Sequence, residues 1–161
     1  MTDGAVIAPA LTERDRADFA ALVREYVDWL AVDLGYQDLE AELAALDRVY
    51  AAPGTILVAR DRAGAVLGGV AVKPLPALGD GVCEMKRLYV RQAGRGLGLG
   101  GRLARSALVA AREAGFGTMV LDTMPSRMGS AVAMYAKLGF VTRSAYYDTP
   151  IAETIFLERS L

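Results

Sequence analysis

The feature that most constrains this chain is a glycine-rich turn between a strand and a helix. The strand pattern runs from Val82 to Val90 and is followed by the segment RQAGRGLGLGG. After the turn, apolar residues recur at helical spacing at Leu99, Leu103 and Ala107. Repeated glycines let the backbone bend tightly and approach a ligand without a Cβ in the way. The free N–H groups and the positive dipole end of the helix start favour a phosphate or pyrophosphate, so the sequence predicts an anion-binding turn.

Two other interpretations of the glycines stay open at this point. Glycine-rich turns also close a strand–helix corner without binding a ligand. In addition, Gly96, Gly98 and Gly101 satisfy the dinucleotide-binding pattern G-x-G-x-x-G. Asp122 lies about where that pattern expects a ribose-binding acid. Two features argue against a dinucleotide site. Residues 91–95 separate the strand from the first glycine of the pattern, Gly96, and the chain after Asp122 is too short for the remaining strands and helices of such a fold.

Charge and residue usage exclude several classes of function. The 161 residues carry a formal net charge of −1 without a long run of Lys or Arg, so neither nucleic acid nor a membrane is expected as a partner. The absence of histidine excludes His-based triads and most zinc sites, and no metal is predicted. Cys83 is the single cysteine, so no internal disulfide is expected. Without a signal-peptide pattern or a bilayer-length apolar stretch, a cytoplasmic location is expected.

Apolar periodicity predicts helices and strands along one domain, residues 1–161. Thr12 is a good helix N-cap, and a second helix is expected from near Asp38 to Tyr50. Further helices are predicted at about 98–114 and 129–138. Strands are predicted at 55–59, 66–72, 82–90, 119–121, 140–142 and 154–157, with a weaker one at 6–7. The pattern indicates a single α/β domain.

Three motifs, in order along the chain, resemble the GNAT superfamily of acyl-CoA-dependent N-acyltransferases. Residues 95–100, Arg-Gly-Leu-Gly-Leu-Gly, fit the family signature Q/R-x-x-G-x-G/A at every defined position. Tyr135 stands shortly before the Leu-Gly-Phe at 138–140, and residues 88–90 end the strand a few positions before the arginine. The resemblance covers about Cys83 to Phe140. It implies an α/β fold of the α+β type, with a mixed, mostly antiparallel sheet of six or seven strands and about four helices.

The resemblance also implies a function. The family's activity is N-acetyl transfer from the co-substrate acetyl-CoA directly to a primary amine of a small molecule or peptide, and homodimers are common among relatives. A non-catalytic acyl-CoA-binding regulatory module of the same fold is the alternative. The family's cofactor-binding positions correspond here to Leu88, Tyr89, Val90, Arg95, Gly96, Leu97, Gly98, Leu99 and Gly100. Many members have an asparagine seven residues before the helix tyrosine, but Met128 stands there, so that contact is not carried over.

Glu84 and Tyr135 are the predicted catalytic residues. Glu84 lies four residues before Leu88, the spacing at which some family members place a glutamate that takes the amine proton, directly or through water. Tyr135 would protonate the departing thiolate, because a phenol has a pKa of about 10. The alternatives are that Glu84 only pairs with a neighbouring cation and that Tyr135 is packed in the core. Strand alternation puts Glu84, Lys86, Leu88 and Val90 on one side unless a bulge intervenes.

Aromatic and acidic residues in two segments lead to a hypothesis about the acceptor. In this family the first two helices and the loop between the last two strands wall the space opposite the cofactor. These segments contain Tyr26, Asp28, Trp29, Asp33, Tyr36, Tyr146, Tyr147 and Asp148. Aromatic faces and carboxylates together hold cations, so a small cationic amine is the hypothesis for the acceptor. The alternative is that the aromatics are core residues and the aspartates are solvated.

Overall fold

The strands among the described residues of this chain form one sheet. The structure, a computed structural model, describes residues 4–31 and 38–161. The strands are β1 (Val6–Pro9), β2 (Thr55–Arg60), β3 (Val66–Pro74), β4 (Val82–Val90), β5 (Thr118–Thr123), β6 (Val141–Arg143) and β7 (Ile155–Ser160). Their order is β1-β2-β3-β4-β5-β7-β6, and among the described strands only β4 and β5 pair in parallel. The mixed, mostly antiparallel sheet expected from the sequence is confirmed.

Five α-helices accompany the sheet in the part of the chain that the structure describes. They are α1 (Glu13–Leu30), α2 (Leu39–Ala44), α3 (Leu46–Val49), α4 (Leu99–Glu113) and α5 (Pro125–Lys137). Thr12 caps α1 as predicted, because its hydroxyl accepts the Asp15 N–H at 3.0 Å and the Asp15 carboxylate accepts the Thr12 N–H. Within the ranges 4–31 and 38–161, no helix has both the length and the apolar run needed to cross a bilayer.

The helix predicted from near Asp38 to Tyr50 is two short helices instead. Ala45, with φ −135° and ψ 33°, breaks the helical path between α2 and α3. The break brings the Tyr50 hydroxyl to within 2.9 Å of a Glu42 carboxylate oxygen. A continuous helix would separate these two residues by about 12 Å along its axis. Leu43, Leu46 and Tyr50 all pack into the core against the sheet, and this tertiary packing overrides the helical periodicity of the segment.

Both faces of the sheet are buried under helices. On one face the core combines α4 and α5 with the sheet, including Leu103, Ala107, Tyr135, Cys83, Met85 and Leu88. On the other face it combines α1 to α3 with the sheet, including Phe19, Leu22, Leu46, Tyr50, Ile56 and Tyr89. Because a sheet with two apolar faces needs cover on each, the helices before β2 and those after β4 occupy opposite sides. The sheet centre, and β4 with it, is consequently sandwiched between two layers.

A bulge interrupts β4. In the register of β3 with β4, one residue of β3 stands opposite two residues of β4, Arg87 and Leu88. Arg87 takes a φ of 63°, in the left-handed region. The extra residue reverses the alternation of side chains along the strand. Leu88 therefore packs in the same core as Cys83 and Met85, whereas Glu84, which alternates with them, lies on the opposite face. The expectation that Glu84 and Leu88 share one side of the strand is wrong for this reason.

Candidate active site

A cleft lies between β4 and β5, the two parallel strands at the sheet centre. The last residues that pair across these strands are Glu84 and Val120, and beyond them the strands diverge. A bulge bends the strand that carries it, so the bulge in β4 accounts for this separation. The cleft is lined by residues 86–88 of β4, residues 121–123 of β5 and Tyr135 of α5. Backbone groups that a continuous ladder would use are thereby exposed to the cleft.

The glycine turn lies beside one end of this cleft. Gly96 and Gly98 have φ values of 77° and 71°, which residues with a side chain rarely adopt. A Cβ placed on either residue would meet no atom within 4 Å, so the space in front of the turn is open. Gly98 is the N-cap of α4, and no side chain caps this helix, which leaves its first N–H groups available. The turn therefore fits a pyrophosphate at the positive end of the helix dipole.

Three adjoining hollows connect the turn to Glu84. The hollow in front of the turn, of about 440 Å³, is bordered by Leu88 and Met128, and both residues also line the cleft. At its other end the cleft shares Lys86 with an outer pocket of about 240 Å³. Glu84 and Tyr146 line this outer pocket. A long, thin molecule lying on the turn would thus reach past Tyr135 toward Glu84.

Arg95 is held against two aromatic rings beside the turn. Its Nε donates a hydrogen bond to the Val90 carbonyl at 3.0 Å. Its guanidinium carbon lies 5.3 Å from the centre of the Trp29 ring and 5.7 Å from that of Tyr89. The cation that faces Trp29 is therefore the protein's own arginine. Trp29 thus belongs to the glycine-turn end of the site, and the sequence hypothesis had placed it at the acceptor.

Tyr135 is buried between the core and the cleft. Its ring packs edge-on against Phe140, with 5.6 Å between the ring centres, while the residue also lines the cleft. Burial raises the pKa of the Tyr135 hydroxyl, and the charge of Asp122 raises it further. The phenol therefore stays protonated at neutral pH. Both interpretations of this tyrosine, a packed ring and a proton donor, fit the same position.

Glu84 lies in the outer pocket as the acceptor of a hydrogen bond from Tyr146. The Tyr146 hydroxyl lies 2.6 Å from Glu84 Oε2, and only 5 % of Glu84 is exposed. Burial and the charge of Glu84 raise the pKa of Tyr146, so this hydroxyl remains a donor. The sequence had suggested Tyr146, Tyr147 and Asp148 as one wall of the acceptor site, and all three line this pocket. The bond from Tyr146 to Glu84 joins residues 62 positions apart, and no local pattern signals it. Of the other suggested acceptor residues, Asp33 and Tyr36 lie outside the described residues.

Arg87 anchors the bulge through a buried ion pair. Its Nε and Nη2 donate to the two carboxylate oxygens of Glu42 at 3.0 and 2.9 Å, and the Tyr50 hydroxyl donates to the same carboxylate. The two charged side chains are 4 % and 10 % exposed. Burial raises the pKa of Glu42, but the hydrogen bonds and charge of Arg87 outweigh it and lower this pKa overall. The sequence analysis did not identify the role of Arg87 in shaping β4, because its partner Glu42 lies 45 positions away.

Asp122 does not take the position of a ribose-binding acid in a dinucleotide fold. It lies within β5, where its carboxylate accepts a hydrogen bond from the Tyr147 hydroxyl. A dinucleotide fingerprint opens an extended parallel sheet. In the described strands, β5 pairs in parallel with β4 and antiparallel with β7. The dinucleotide interpretation is therefore wrong.

Known proteins share both the sequence and the fold of this chain. The sequence profile of the acetyltransferase (GNAT) family matches residues 20–140. An uncharacterized N-acetyltransferase of Schizosaccharomyces pombe is 43% identical over 145 residues, which cover 89% of this chain and 87% of that protein.

Solved structures share the fold of this chain. An acetyltransferase of the GNAT family from Staphylococcus aureus superposes with a TM-score of 0.79 at 16% identity, covering 97% of this chain and 98% of the other. A GNAT superfamily phosphinothricin acetyltransferase from Sinorhizobium meliloti, solved in complex with AcCoA, superposes with a TM-score of 0.74 at 21% identity, covering 98% and 89%. The matched region of the profile contains the bulged strand, the glycine turn and the helix tyrosine. This chain belongs to the GNAT family and is an acetyltransferase.

Proposed function

We propose that this acetyltransferase transfers the acetyl group of acetyl-CoA directly to a primary amine of a small molecule or peptide. The observation that carries the proposal is the line of adjoining hollows from the glycine turn, past Tyr135, to the Glu84–Tyr146 pair. It offers a site for a pyrophosphate, a narrow passage and a carboxylate in the order that a direct transfer needs. Neither a histidine nor an exposed cysteine is available as a nucleophile, since Cys83 is buried and burial raises its thiol pKa to about 12.

The proposed residues for acetyl-CoA are the glycine turn and the end of β4. The N–H groups of residues 96–100 would hold the pyrophosphate, and the backbone of Leu88, Tyr89 and Val90 would pair with the pantetheine arm. Acetyl-CoA supplies an activated acetyl thioester, so that the acetyl carbon gains a bond to nitrogen as its bond to sulfur breaks. Backbone N–H groups beside the bulge would stabilise the oxygen that becomes negative during this exchange. Arg95, beside the turn, adds a positive charge at the pyrophosphate end.

Glu84 is the proposed base. A free alkylamine has a pKa of about 10.4 and must lose a proton before its nitrogen can attack. Glu84 would accept this proton, directly or through water, from an amine in the outer pocket. The hydrogen bond from Tyr146 fixes the carboxylate at 2.6 Å and leaves its second oxygen for the acceptor. This orientation is the support for a catalytic rather than a purely structural role.

Tyr135 is the proposed acid. A thiol has a pKa of about 8.5, so sulfur leaves as a thiolate unless a proton is provided. Because burial raises its pKa, the Tyr135 hydroxyl keeps its proton until negative charge develops on sulfur. Its place on the wall of the cleft, between the turn and Glu84, fits that task.

The experiment that tests the proposal combines acetyl-CoA binding with an acceptor screen. Calorimetry should show that Gly98→Glu abolishes acetyl-CoA binding, because a carboxylate would repel the pyrophosphate and occupy the open space. Gly115→Glu is the matched control, since Gly115 also has a positive φ and open surroundings but lies beyond the far end of α4. A screen of primary amines, followed by CoA release, should then identify turnover. Undiminished binding by Gly98→Glu, or no turnover with any amine, would contradict the proposal.

A further inference from the structure

Lys86 is a partly buried cation that lacks a hydrogen-bond acceptor in the part of the chain that the structure describes. Its side chain is 13 % exposed, and its Nζ lies 4.0 Å from Glu84 Oε1, beyond hydrogen-bond distance. Burial lowers the pKa of Lys86, with the charge of Glu84 acting in the opposite direction. An ammonium with so little access to water is stabilised by any acceptor that reaches its donors. The position of this cation is therefore suited to an anionic group that arrives with a ligand.

The outer pocket places this cation beside the proposed base. Lys86 and Glu84 both line it, and they lie two residues apart on the same face of β4, ahead of the bulge. A molecule that brings an amine to Glu84 therefore brings its neighbouring atoms to Lys86. In an α-amino acid the amine and the carboxylate are separated by a single carbon atom. Glu84 Oε1 and Lys86 Nζ lie 4.0 Å apart, so they are close enough to contact the amine and the carboxylate of one such molecule.

The remaining walls of the pocket are apolar or aromatic. They are formed by Leu75, Ala77, Leu78, Tyr146 and Tyr147, with the carboxylate of Asp148 completing the lining. A pocket of about 240 Å³ accepts a small side chain and excludes a folded protein surface. Apolar walls favour an apolar side chain, because its burial removes hydrocarbon from water. The carboxylates of Glu84 and Asp148 favour the ammonium end of the same molecule.

We infer that the acceptor is an α-amino acid with an apolar side chain, whose carboxylate binds Lys86 while its amine faces Glu84. This inference rests on the proposed function and specifies its acceptor. The product is the N-acetyl amino acid, and CoA leaves as the free thiol. The inference departs from the cationic-amine hypothesis, because only the structure shows that Lys86 lines the same pocket as Glu84.

The test compares acceptors that differ only in the carboxylate. Phenylalanine is measured against phenylalanine amide and 2-phenylethylamine, and leucine against 3-methylbutylamine, with spermidine as a polycation. The wild-type kcat/KM should be roughly 10- to 100-fold higher for each amino acid than for its carboxylate-free counterpart, as expected for a hydrogen bond between charged groups. Most of the difference should appear in KM, because the carboxylate binds the ground and transition states alike.

Lys86 variants then assign the preference to this side chain. Lys86→Met should reduce the amino-acid to amine ratio roughly 10- to 100-fold, whereas Lys86→Arg, which keeps the charge, should retain part of it. Lys137→Met, an exposed lysine on α5, is the matched control and should leave the ratio unchanged.

The outcomes distinguish failure of this inference from failure of the proposed function. Equal or better turnover of the carboxylate-free amines or spermidine by the wild type would overturn the inference and leave the proposed function intact. The same conclusion would follow if Lys86→Met kept the full ratio. Absence of acetyl transfer to every amine would refute the proposed function, and this inference with it. Because the wild-type comparison needs no variant, poor folding of Lys86→Met would not prevent a decision.

Discussion

The bulge that opens the cleft should depend on the ion pair between Arg87 and Glu42. Arg87 takes a φ of 63°, which costs a residue with a side chain about 1–2 kcal/mol. The two hydrogen bonds to Glu42, at 3.0 and 2.9 Å, offset this cost only if both partners are present. Arg87→Ala keeps the backbone cost, removes the pair and leaves the Glu42 carboxylate buried without its cation.

The loss of stability expected for Arg87→Ala follows from the broken ion pair and the strained backbone. Removing one partner of a buried pair costs about 3–5 kcal/mol of unfolding free energy. For a domain of this size, where 1 kcal/mol shifts Tm by roughly 2–4 °C, Arg87→Ala should lower Tm by about 6–20 °C. Arg87→Gly loses the same pair but adopts a positive φ freely, so it should be roughly 1 kcal/mol more stable than Arg87→Ala. At an ordinary strand position a glycine variant is instead less stable than the alanine variant. A more stable Arg87→Gly would therefore show that the positive φ at this position is costly for a residue with a side chain.

The assay is urea unfolding with extrapolation to water, paired with kcat for acetyl transfer. Arg24→Ala is the control, because its pair with Glu40 spans 3.7 Å between side chains that are 55% and 80% exposed. Such a surface pair should contribute no more than about 1 kcal/mol. The reasoning is refuted if Arg87→Ala costs no more than Arg24→Ala, or if the glycine variant is less stable than the alanine variant. Activity should fall in the same order as stability, since the bulge positions Lys86 and Leu88 at the cleft.

Three further predictions concern proton transfer by Glu84 and Tyr135 and the protonation of Glu42 in the buried ion pair. Glu84→Gln keeps the shape of the side chain but removes the base, so kcat should fall on the order of a hundredfold; an unchanged pH–rate profile would remove Glu84 from the mechanism. Tyr135→Phe should lower turnover while acetyl-CoA affinity and Tm change little, and an equal loss of stability and activity would support a packing role alone. Because Arg87 holds the pKa of Glu42 below its usual 4.5, the stabilisation from this pair should be complete above that pH and decline as pH falls through the lowered value. Urea unfolding along a pH series should show this acid-side loss in the wild type but not in Glu42→Gln.

Local patterns in the sequence were sufficient for most elements, including the strand, glycine turn and helix at which cofactor binding is proposed. The strand Val82–Val90 has the bounds expected from its residues, and α4 starts within one residue of the expected position. Thr12 forms the expected capping box, because a cap depends on residues only three positions apart. The glycine turn was identifiable for the same reason, since its backbone conformation and the helix behind it are encoded within about ten residues.

The acceptor end depends instead on contacts between distant parts of the chain. Arg87 meets Glu42 across 45 positions and Tyr146 meets Glu84 across 62, and neither pair follows from helical or strand spacing. The bulge reversed the side of the strand on which Leu88 lies, because one extra residue shifts every later side chain to the other face. The pocket beside Lys86 likewise combines residues 75–78 with residues 146–148, which are far apart in the sequence. Sequence alone therefore determined the glycine turn at which we propose that the pyrophosphate binds, while tertiary packing decided which charges face the outer pocket.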